Sequence, residues 1–297
     1  TTNTNSSTFG TLGDRNQAIF LRGFESPAYF RNGFRLQQGA GGRELANVES
    51  VEVLKGPAAI LYGLVEPGGM VNVVTKKPLA TPYYGFTQQF GSYDLYRSTF
   101  DAGGPLSKNK DVLYRANLSY ENSGSFREFV GNEDMFFAPA LTWKISPKTQ
   151  VTFDLEYSHQ HQGLDFGFFP AIVNPPIGRN FGEYSPATTE TIFGSVNWSH
   201  QFNDDWSIKH WFSVNQRSRD ALVVFPEQAL LGDKTFLRNN TDNDPNIDLI
   251  PDALLVGRDR FASSGQNNTY STNLDLTGHF DTFGLKHTLL MGGDYYR

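Results

Sequence analysis

A two-residue alternation of apolar and polar side chains runs through most of the chain after residue 83. Successive side chains of a β-strand point to opposite faces, so this alternation predicts strands with one apolar and one polar face. In the clearest segment, Val151, Phe153, Leu155 and Tyr157 alternate with Thr152, Asp154, Glu156 and Ser158. About nine strands are predicted, near residues 83–91, 94–104, 111–122, 134–146, 149–160, 189–202, 205–217, 268–281 and 284–297.

The predicted connections between these strands alternate in length. Residues 105–110, 146–148, 203–204 and 281–283 are short connections, and residues 123–133, 161–188 and 218–267 are long ones. The connection at 92–93 is short although it lies on the long side. Strands of about 10 residues with short turns at one end and long loops at the other are typical of outer-membrane barrels. A soluble β-sandwich would also alternate, but it would rarely give this one-sided order of loops.

Composition narrows the class of protein further. No run among the 297 residues reaches 18 apolar residues, so no membrane-spanning helix is predicted. The mean hydropathy of −0.42 does not exclude a membrane barrel, since lipid-facing and lumen-facing residues average out. The absence of cysteine excludes disulfides and thiolate metal sites, and the net charge of −6 argues against a general nucleic-acid binder. No glycine-rich phosphate-binding loop is present.

Residues 46–78 have a different character. Two short β-patterned runs, 48–54 and 70–75, flank a segment that contains Gly56-Pro57, Gly63 and Pro67-Gly68-Gly69. Glycine allows backbone conformations with positive φ, and proline fixes φ and removes a hydrogen-bond donor. The stretch therefore predicts a compact strand–loop–strand unit with glycine-rich loops.

This stretch resembles the C-terminal half of the plug domain of TonB-dependent outer-membrane receptors, especially the siderophore receptors. The matching segments are residues 48–57 (VESVEVLKGP), 61–63 (LYG), 67–69 (PGG) and 71–78 (VNVVTKKP). Upstream, residues 19–24 (IFLRGF) are similar to the family's IRGF plug strand, and 30–33 (FRNG) to the turn that follows it. The family usually has Asp where this chain has Asn32, but Asn-Gly also forms tight hairpin turns.

The resemblance implies a mainly β fold, in which a small mixed α/β plug lies inside a transmembrane antiparallel β-barrel. Residues 1–78 are assigned to the C-terminal part of the plug and residues 79–297 to the N-terminal portion of the barrel. Plugged barrels have about 22 strands, so nine strands cannot close one. We expect the chain to be a fragment truncated at both ends, without the TonB-box segment and without the remaining strands.

The resemblance also implies a function. The expected activity is active uptake of a ferric siderophore across the Gram-negative outer membrane, driven by TonB with the ExbB–ExbD proton-powered complex. Iron belongs to the siderophore, so no cofactor is expected, and no enzymatic activity, nucleic-acid partner or oligomer is expected either. The alternatives are the same architecture for haem, cobalamin or another large ligand, a passive or enzymatic outer-membrane barrel, and a soluble β-rich binding module.

Candidate ligand contacts follow from the resemblance and from one long loop. By motif, the plug candidates are Arg22, Gln37, Gln38 and Tyr62, because arginine pairs with anionic chelates and tyrosine offers a ring and a hydroxyl. The loop 161–188 adds the aromatic candidates Phe166, Phe168, Phe169 and Tyr184, and also carries Phe181. The alternatives are that Arg22 and Tyr62 tie the plug to the wall, and that the loop packs on its own aromatics.

Metal-binding patterns are weak. His159 and His161 share a strand face, but a metal needs further ligands and the sequence places none. Oxygen-bearing side chains alternate at 242, 244, 246 and 248, yet Ile247 and Ala253 replace the Gly and Glu of a calcium loop. No metal site is therefore predicted. Lys76 and Lys77 end the plug, and in the family basic plug residues face barrel carboxylates.

Overall fold

A large antiparallel sheet dominates this computed structural model, which describes residues 2–3, 18–25, 28–38, 44–56, 67–165, 177–180, 184–226 and 258–297. Nine strands follow one another in sequence order across this sheet, which we call the wall sheet. They are β8 Tyr83–Phe90, β9 Tyr96–Pro105, β10 Val112–Ser123, β11 Asn132–Ser146, β12 Thr149–Gly163, β13 Pro186–Gln201, β14 Trp206–Pro226, β15 Arg258–Thr282 and β16 Leu285–Tyr296. The predicted nine-stranded sheet is thus confirmed.

Strands β14 and β15 are longer than the alternation predicted. Their pairing continues from Ser218 opposite Gln266 to Pro226 opposite Arg258, a stretch that the sequence analysis assigned to a loop. That prediction was wrong because residues 221–226 are apolar on both faces and residues 258–267 are mainly polar on both. Neither segment alternates, and backbone pairing does not require alternation. The hairpin therefore extends well beyond the residues that the alternation predicted.

Among the described residues, seven short strands precede the wall sheet. They are β1 Thr2–Asn3, β2 Ala18–Leu21, β3 Phe24–Glu25, β4 Ala28–Arg31, β5 Phe34–Gln38, β6 Val48–Lys55 and β7 Gly69–Thr75. The first three form one small sheet, and the others form a sheet of order β5-β4-β7-β6, which we call the plug sheet. β7 lies at its centre, antiparallel to β6 and parallel to β4, and is almost entirely buried. The two predicted β-runs in 46–78 thus pair with each other.

The turn between β4 and β5 has the geometry that its sequence predicts. Asn32 and Gly33 have φ of 50° and 86°, as a two-residue hairpin turn with both central residues at positive φ requires. The Asn32 side chain also donates to Thr75 Oγ1 at 2.9 Å and accepts from the Thr75 amide at 2.9 Å. The turn is thereby fastened to the end of the central strand β7.

The described plug residues form strands and turns, and the predicted α component of the plug stays a prediction. The plug sheet ends at Thr75 and the wall sheet begins at Tyr83, on either side of the domain boundary predicted at residue 78, which stays a prediction. Among the described residues, no helix is long and apolar enough to cross a membrane.

The two faces of the wall sheet differ in chemistry. On one face, which we call the inner face, Asn117, Ser119, Glu156 and Ser213 are buried. On the other, the outer face, apolar side chains such as Phe153 and Leu155 are exposed by 43% and 46%. The contacts described below join the inner face to the plug sheet, which agrees with the predicted register of β12.

Candidate functional site

Arg31 and Glu156 form the most buried contact between plug and wall. Arg31 is the last residue of β4, and its Nη1 lies 2.8 Å from Glu156 Oε2 on β12, with side chains only 3% and 8% exposed. The Arg31 guanidinium also lies over the Phe193 ring, with Cζ 4.0 Å from its centroid. The Asn47 side-chain amide donates to the other oxygen of Glu156. One wall carboxylate thus binds two separate plug segments.

A second contact fastens the end of the plug sheet. Lys76, directly after β7, places Nζ 3.0 Å from Asp101 Oδ2 on β9 and donates to the Ala46 carbonyl at 2.7 Å. Arg115 on β10 holds the same Asp101 through two hydrogen bonds of 2.6 Å, the planar fork geometry that suits a carboxylate. The Lys76 contact confirms that a basic residue at the plug end faces a wall carboxylate.

A third contact involves Glu44, just before β6. Its Oε1 accepts from the amides of Leu45 and Ala46 at 2.8 and 2.9 Å and pairs with Arg97 of β9. Arg97 also lies 3.3 Å from Glu121 on β10. Glu44 therefore fixes its own turn and at the same time links that turn to the wall.

One aromatic contact completes the interface. Phe34 of β5 stacks on Trp211 of β14, with ring centroids 4.0 Å apart and planes within 7°. Burying such a pair gains apolar area and adds about 0.5–1.5 kcal/mol beyond it. The plug is thus held to β9, β12 and β14 by discrete side-chain contacts.

The chemistry of these contacts makes them strongly coupled. A buried ion pair adds little net stability compared with a packed apolar pair, but removal of one partner leaves an uncompensated charge and costs about 3–5 kcal/mol. Such an interface specifies one seating of the plug and penalises partial displacement.

At the end of the sheet with long connections, two loops are clamped together. Arg127, in the loop 124–131, has Nε 2.6 Å from Asp165 Oδ2, and both side chains are more than nine-tenths buried. Arg127 also donates to the Ile177 carbonyl at 3.2 Å, and the Glu128 amide donates to the Gly178 carbonyl at 2.8 Å. The loop 124–131 and the described parts of 164–185 therefore form one unit, which we call the loop clamp.

Ser185 connects the loop clamp to the hairpin β14–β15. Its hydroxyl donates to the Val224 carbonyl at 3.1 Å and accepts from the Val224 amide at 3.0 Å, while its carbonyl accepts from the Leu164 amide at 2.8 Å. Leu164, Ala187 and Val223 form a small buried apolar cluster beside it. The extension of β14 that the sequence analysis missed is what this connection uses.

The structure describes two of the predicted ligand-contact side chains. The IRGF resemblance predicted that Arg22 lies in a strand. In the structure it lies in the exposed turn after β2, with φ of 54°, and Gly23 allows the chain to reverse there. Tyr184 is 53% exposed, and its hydroxyl lies 3.3 Å from His161 Nε2. The backbones of Gln37 and Gln38 end β5. Tyr62, Phe166, Phe168, Phe169 and also Phe181 lie outside the described residues, and ligand contact stays a prediction for the whole set.

The candidate metal ligands His159 and His161 contact side chains of the neighbouring strand β13. His159 Nδ1 lies 3.2 Å from Glu190 Oε1, and His161 Nδ1 lies 2.9 Å from Thr188 Oγ1. Within the described ranges, no group of three His, Cys, Asp or Glu side chains could hold a metal ion. The Asp-rich segment 242–248 lies outside the described residues.

Sequence reasoning missed most of the plug–wall contacts. Arg31 was read only as part of a turn motif, and Asp101, Glu44 and Arg97 were not singled out. A usable signal existed, because a charged residue on the polar register of a membrane strand needs a partner. Which plug residue supplies that partner depends on how the two sheets meet.

Comparison with known proteins agrees with this arrangement. Residues 2–70 match the model of the TonB-dependent Receptor Plug Domain. The chain is 32% identical over 259 residues to the metal-pseudopaline receptor CntO of Pseudomonas aeruginosa, covering 85% of this chain and 34% of that protein. It is 25% identical over 312 residues to the ferrichrome outer membrane transporter/phage receptor of Escherichia coli. That match covers 97% of this chain and 41% of that protein.

Solved structures show the same fold. The ferripyoverdine receptor of the outer membrane of Pseudomonas aeruginosa superimposes with a TM-score of 0.78 at 23% identity, covering 96% of this chain and 38% of that one. The chain spans about a third of the length of the relative CntO, since it covers 34% of it. The plug match, the wall sheet and the relatives agree, and the chain belongs to the family of TonB-dependent receptors, with a plug domain and part of a β-barrel.

Proposed function

We propose that the protein containing this chain imports a ferric siderophore across the Gram-negative outer membrane, and that TonB with ExbB–ExbD supplies the energy. The observation that carries this proposal is the plug–wall interface. Arg31 and Glu156, at 2.8 Å, and Lys76 and Asp101, at 3.0 Å, hold a separate domain against the polar inner face of a membrane sheet. A domain held in this way obstructs a pore and has to move before a large solute passes.

This reasoning separates active import from the passive pore. A passive channel has no use for a domain seated by several buried charges, each of which costs free energy when its partner leaves. An external force that moves the whole plug would break these contacts together. The proposed role of TonB is to supply that force.

A ferric siderophore is the proposed ligand class. The names of several relatives specify ferrichrome, ferrioxamine B or pyoverdine complexes. The proposed contacts remain Arg22, Gln37, Gln38, Tyr62, Phe166, Phe168, Phe169 and Tyr184. In this proposal the iron arrives already coordinated by the siderophore, so the receptor needs hydrogen-bond donors and aromatic surface rather than metal ligands.

A second candidate is a chelate of another transition metal. The relative with 32% identity is named as a receptor for metal-pseudopaline, whereas the ferrichrome transporter shares 25% identity. Haem and cobalamin belong to the same alternative class of large ligands. The loop clamp and the aromatic loop would serve any of these ligands, so the choice between them rests on uptake measurements.

Uptake by the full-length receptor in cells that lack other such receptors tests the proposal. Cells with and without TonB would receive ⁵⁵Fe complexes of ferrichrome, ferrioxamine B and pyoverdine, and separately ⁶⁵Zn-loaded pseudopaline. TonB-dependent accumulation of an iron complex is the expected result. Accumulation of zinc alone would favour the second candidate, and equal uptake without TonB would indicate a passive pore and overturn the proposal.

A further inference from the structure

An apolar groove of about 510 Å³ crosses the outer face of the wall sheet. Its floor contains the small residues Ala116 and Gly194, and its rim is formed by Phe153, Leu155 and Phe212, which are exposed by 43%, 46% and 41%. A Cβ built on Gly194 meets no atom within 4 Å, so the space above this glycine is open. The groove is thus a depression between large apolar side chains.

The groove follows one row of neighbouring residues across the strands. Ala116 pairs with Pro139, Leu155 pairs with Gly194, and Gly194 pairs with Val214. The pairing of β11 with β12 omits Ala138 and Pro139, because proline has no amide hydrogen to donate to the ladder. Small side chains and this interruption together lower the surface along the row.

The depth of the groove in the membrane follows from its position along the strands. Ala116 is the fifth residue of β10 counted from the short-turn end, and Gly194 is the eighth of β13 counted from the same end. With about 3.3 Å per residue and a tilt of about 45°, these residues lie roughly 9 and 16 Å from the strand ends. Short turns of such barrels are periplasmic, so the groove runs from the periplasmic half of the membrane to about its middle.

An aromatic belt borders the groove on the periplasmic side. Trp143 of β11 is exposed by 46%, and Trp198 of β13 donates from Nε1 to His210 Nδ1 at 3.1 Å. Trp206, the first residue of β14, stacks on Phe280 with ring centroids 6.4 Å apart. Tryptophan is enriched at membrane interfaces, where lipid headgroups lie. A lipid whose headgroup lies at this belt would direct an acyl chain into the groove.

We propose that the groove is a fixed binding site for one acyl chain of a phospholipid from the periplasmic leaflet. The inference rests on the proposed function only in requiring an outer-membrane location. A flexible hydrocarbon chain fits an irregular apolar depression. Because the surrounding lipid tails are as apolar as the groove, closer van der Waals packing supplies the driving force. The periplasmic end of the groove favours phospholipid, because lipid A occupies the opposite leaflet.

The test uses the full-length receptor in nanodiscs of phosphatidylethanolamine and phosphatidylglycerol. A phospholipid probe with a diazirine at the middle of one acyl chain is irradiated, and labelled peptides are mapped by mass spectrometry. Gly194→Leu places an apolar side chain at the floor of the groove, where a Cβ meets no atom within 4 Å. Gly293→Leu is the matched control, because Gly293 pairs with the outer-face residue Leu274 and its Cβ also meets no atom within 4 Å.

Labelling of peptides containing Phe153 and Phe212 is expected in wild type and in Gly293→Leu, and about tenfold weaker labelling in Gly194→Leu, equivalent to about 1.4 kcal/mol. Equal labelling of wild type and Gly194→Leu would overturn the site. Stronger labelling by a lipid A probe with the same diazirine would overturn the choice of phospholipid. Siderophore uptake is measured in parallel, so a receptor that labels as expected but imports nothing contradicts the proposed function and not the lipid site.

Discussion

Nη1 of Arg31 in the plug lies 2.8 Å from Oε2 of Glu156 in the wall, and the contact excludes most solvent from both side chains. Each belongs to a different sheet, and each has further partners, Phe193 for the guanidinium and Asn47 for the carboxylate. The pair therefore couples β4, β12, β13 and the segment before β6. Changes at this point are expected to act on the seating of the plug rather than on the wall sheet.

Glu156→Gln is expected to destabilise the seated plug by up to about 3–5 kcal/mol, because Arg31 keeps its charge and loses the carboxylate that it contacts. The double variant Arg31→Met with Glu156→Leu should recover much of this loss. Hydrogen exchange of β4 and β7 amides in the full-length receptor measures the effect. The control Glu128→Gln removes an exposed pair with Arg179 at 3.1 Å and should cost no more than about 1 kcal/mol. Equal exchange in both single variants would contradict the prediction.

The loop clamp gives a second prediction. Asp165→Asn should open the contact between the loop 124–131 and residue 178, since Arg127 is then buried without its carboxylate, at a cost of about 3–5 kcal/mol. Faster exchange of the Glu128 amide, which donates to the Gly178 carbonyl, would report the opening. Arg179→Met is the control on the exposed side of the same unit. Protection of Glu128 at the wild-type level in Asp165→Asn would show that the clamp does not depend on the ion pair.

Gly69 begins the central plug strand in a conformation that other residues rarely adopt. Its φ is 126°, and a Cβ there would lie 2.0 Å from the Leu54 carbonyl oxygen. Gly69→Ala is therefore expected to prevent correct pairing of β6 with β7 and to lower the yield of protease-resistant receptor. Gly265→Ala, where a Cβ meets nothing within 4 Å, is the matched control and should fold normally. A wild-type yield from Gly69→Ala would contradict the assigned geometry.

The short turn 106–111 carries a carboxylate with a shifted pKa. The Ser107 hydroxyl donates to Asp111 and lowers the pKa of Asp111 below its usual 3.8. A depressed folded-state pKa stabilises the turn above the unfolded pKa, and this contribution is lost as the pH falls through the folded value. Ser107→Ala should raise the pKa of Asp111 towards 3.8, as ¹³C carboxyl NMR of the labelled receptor would show. Ser146→Ala, in a different short turn, should leave the titration of Asp111 unchanged.

The plug candidates Arg22 and Tyr62 give a prediction about ligand affinity. Arg22→Ala and Tyr62→Ala are each expected to weaken binding of a ferric siderophore by about 1–2 kcal/mol, the scale of a lost charged or aromatic contact. Phe168→Ala should cost less, because neighbouring loop aromatics can replace one ring. Equilibrium binding to the purified full-length receptor is the measurement. Wild-type binding by both plug variants together with reduced uptake would assign Arg22 and Tyr62 to plug movement.

Local sequence determined the strands and the turns of this protein. Alternation along 149–160 predicted that Glu156 and Phe153 lie on opposite faces of one strand, and the Asn32-Gly33 pair predicted a tight hairpin turn. These features depend on neighbours within a few residues, so periodicity and turn chemistry are sufficient to predict them. The same local reasoning failed at 218–226 and 258–267, where the paired strands do not alternate: 221–226 is apolar on both faces and 258–267 is mainly polar on both.

The tertiary structure decided which charges meet. Nothing near Arg31 in the chain indicates Glu156 as its partner, and nothing near Arg127 indicates Asp165. Such pairs depend on how the plug sheet meets the wall and on how two loops approach each other, and a buried charge can be satisfied by any partner that the fold brings within reach. The groove above Gly194 arises in the same way, because residues on β10, β11, β12, β13 and β14 become one surface only after the sheet has formed.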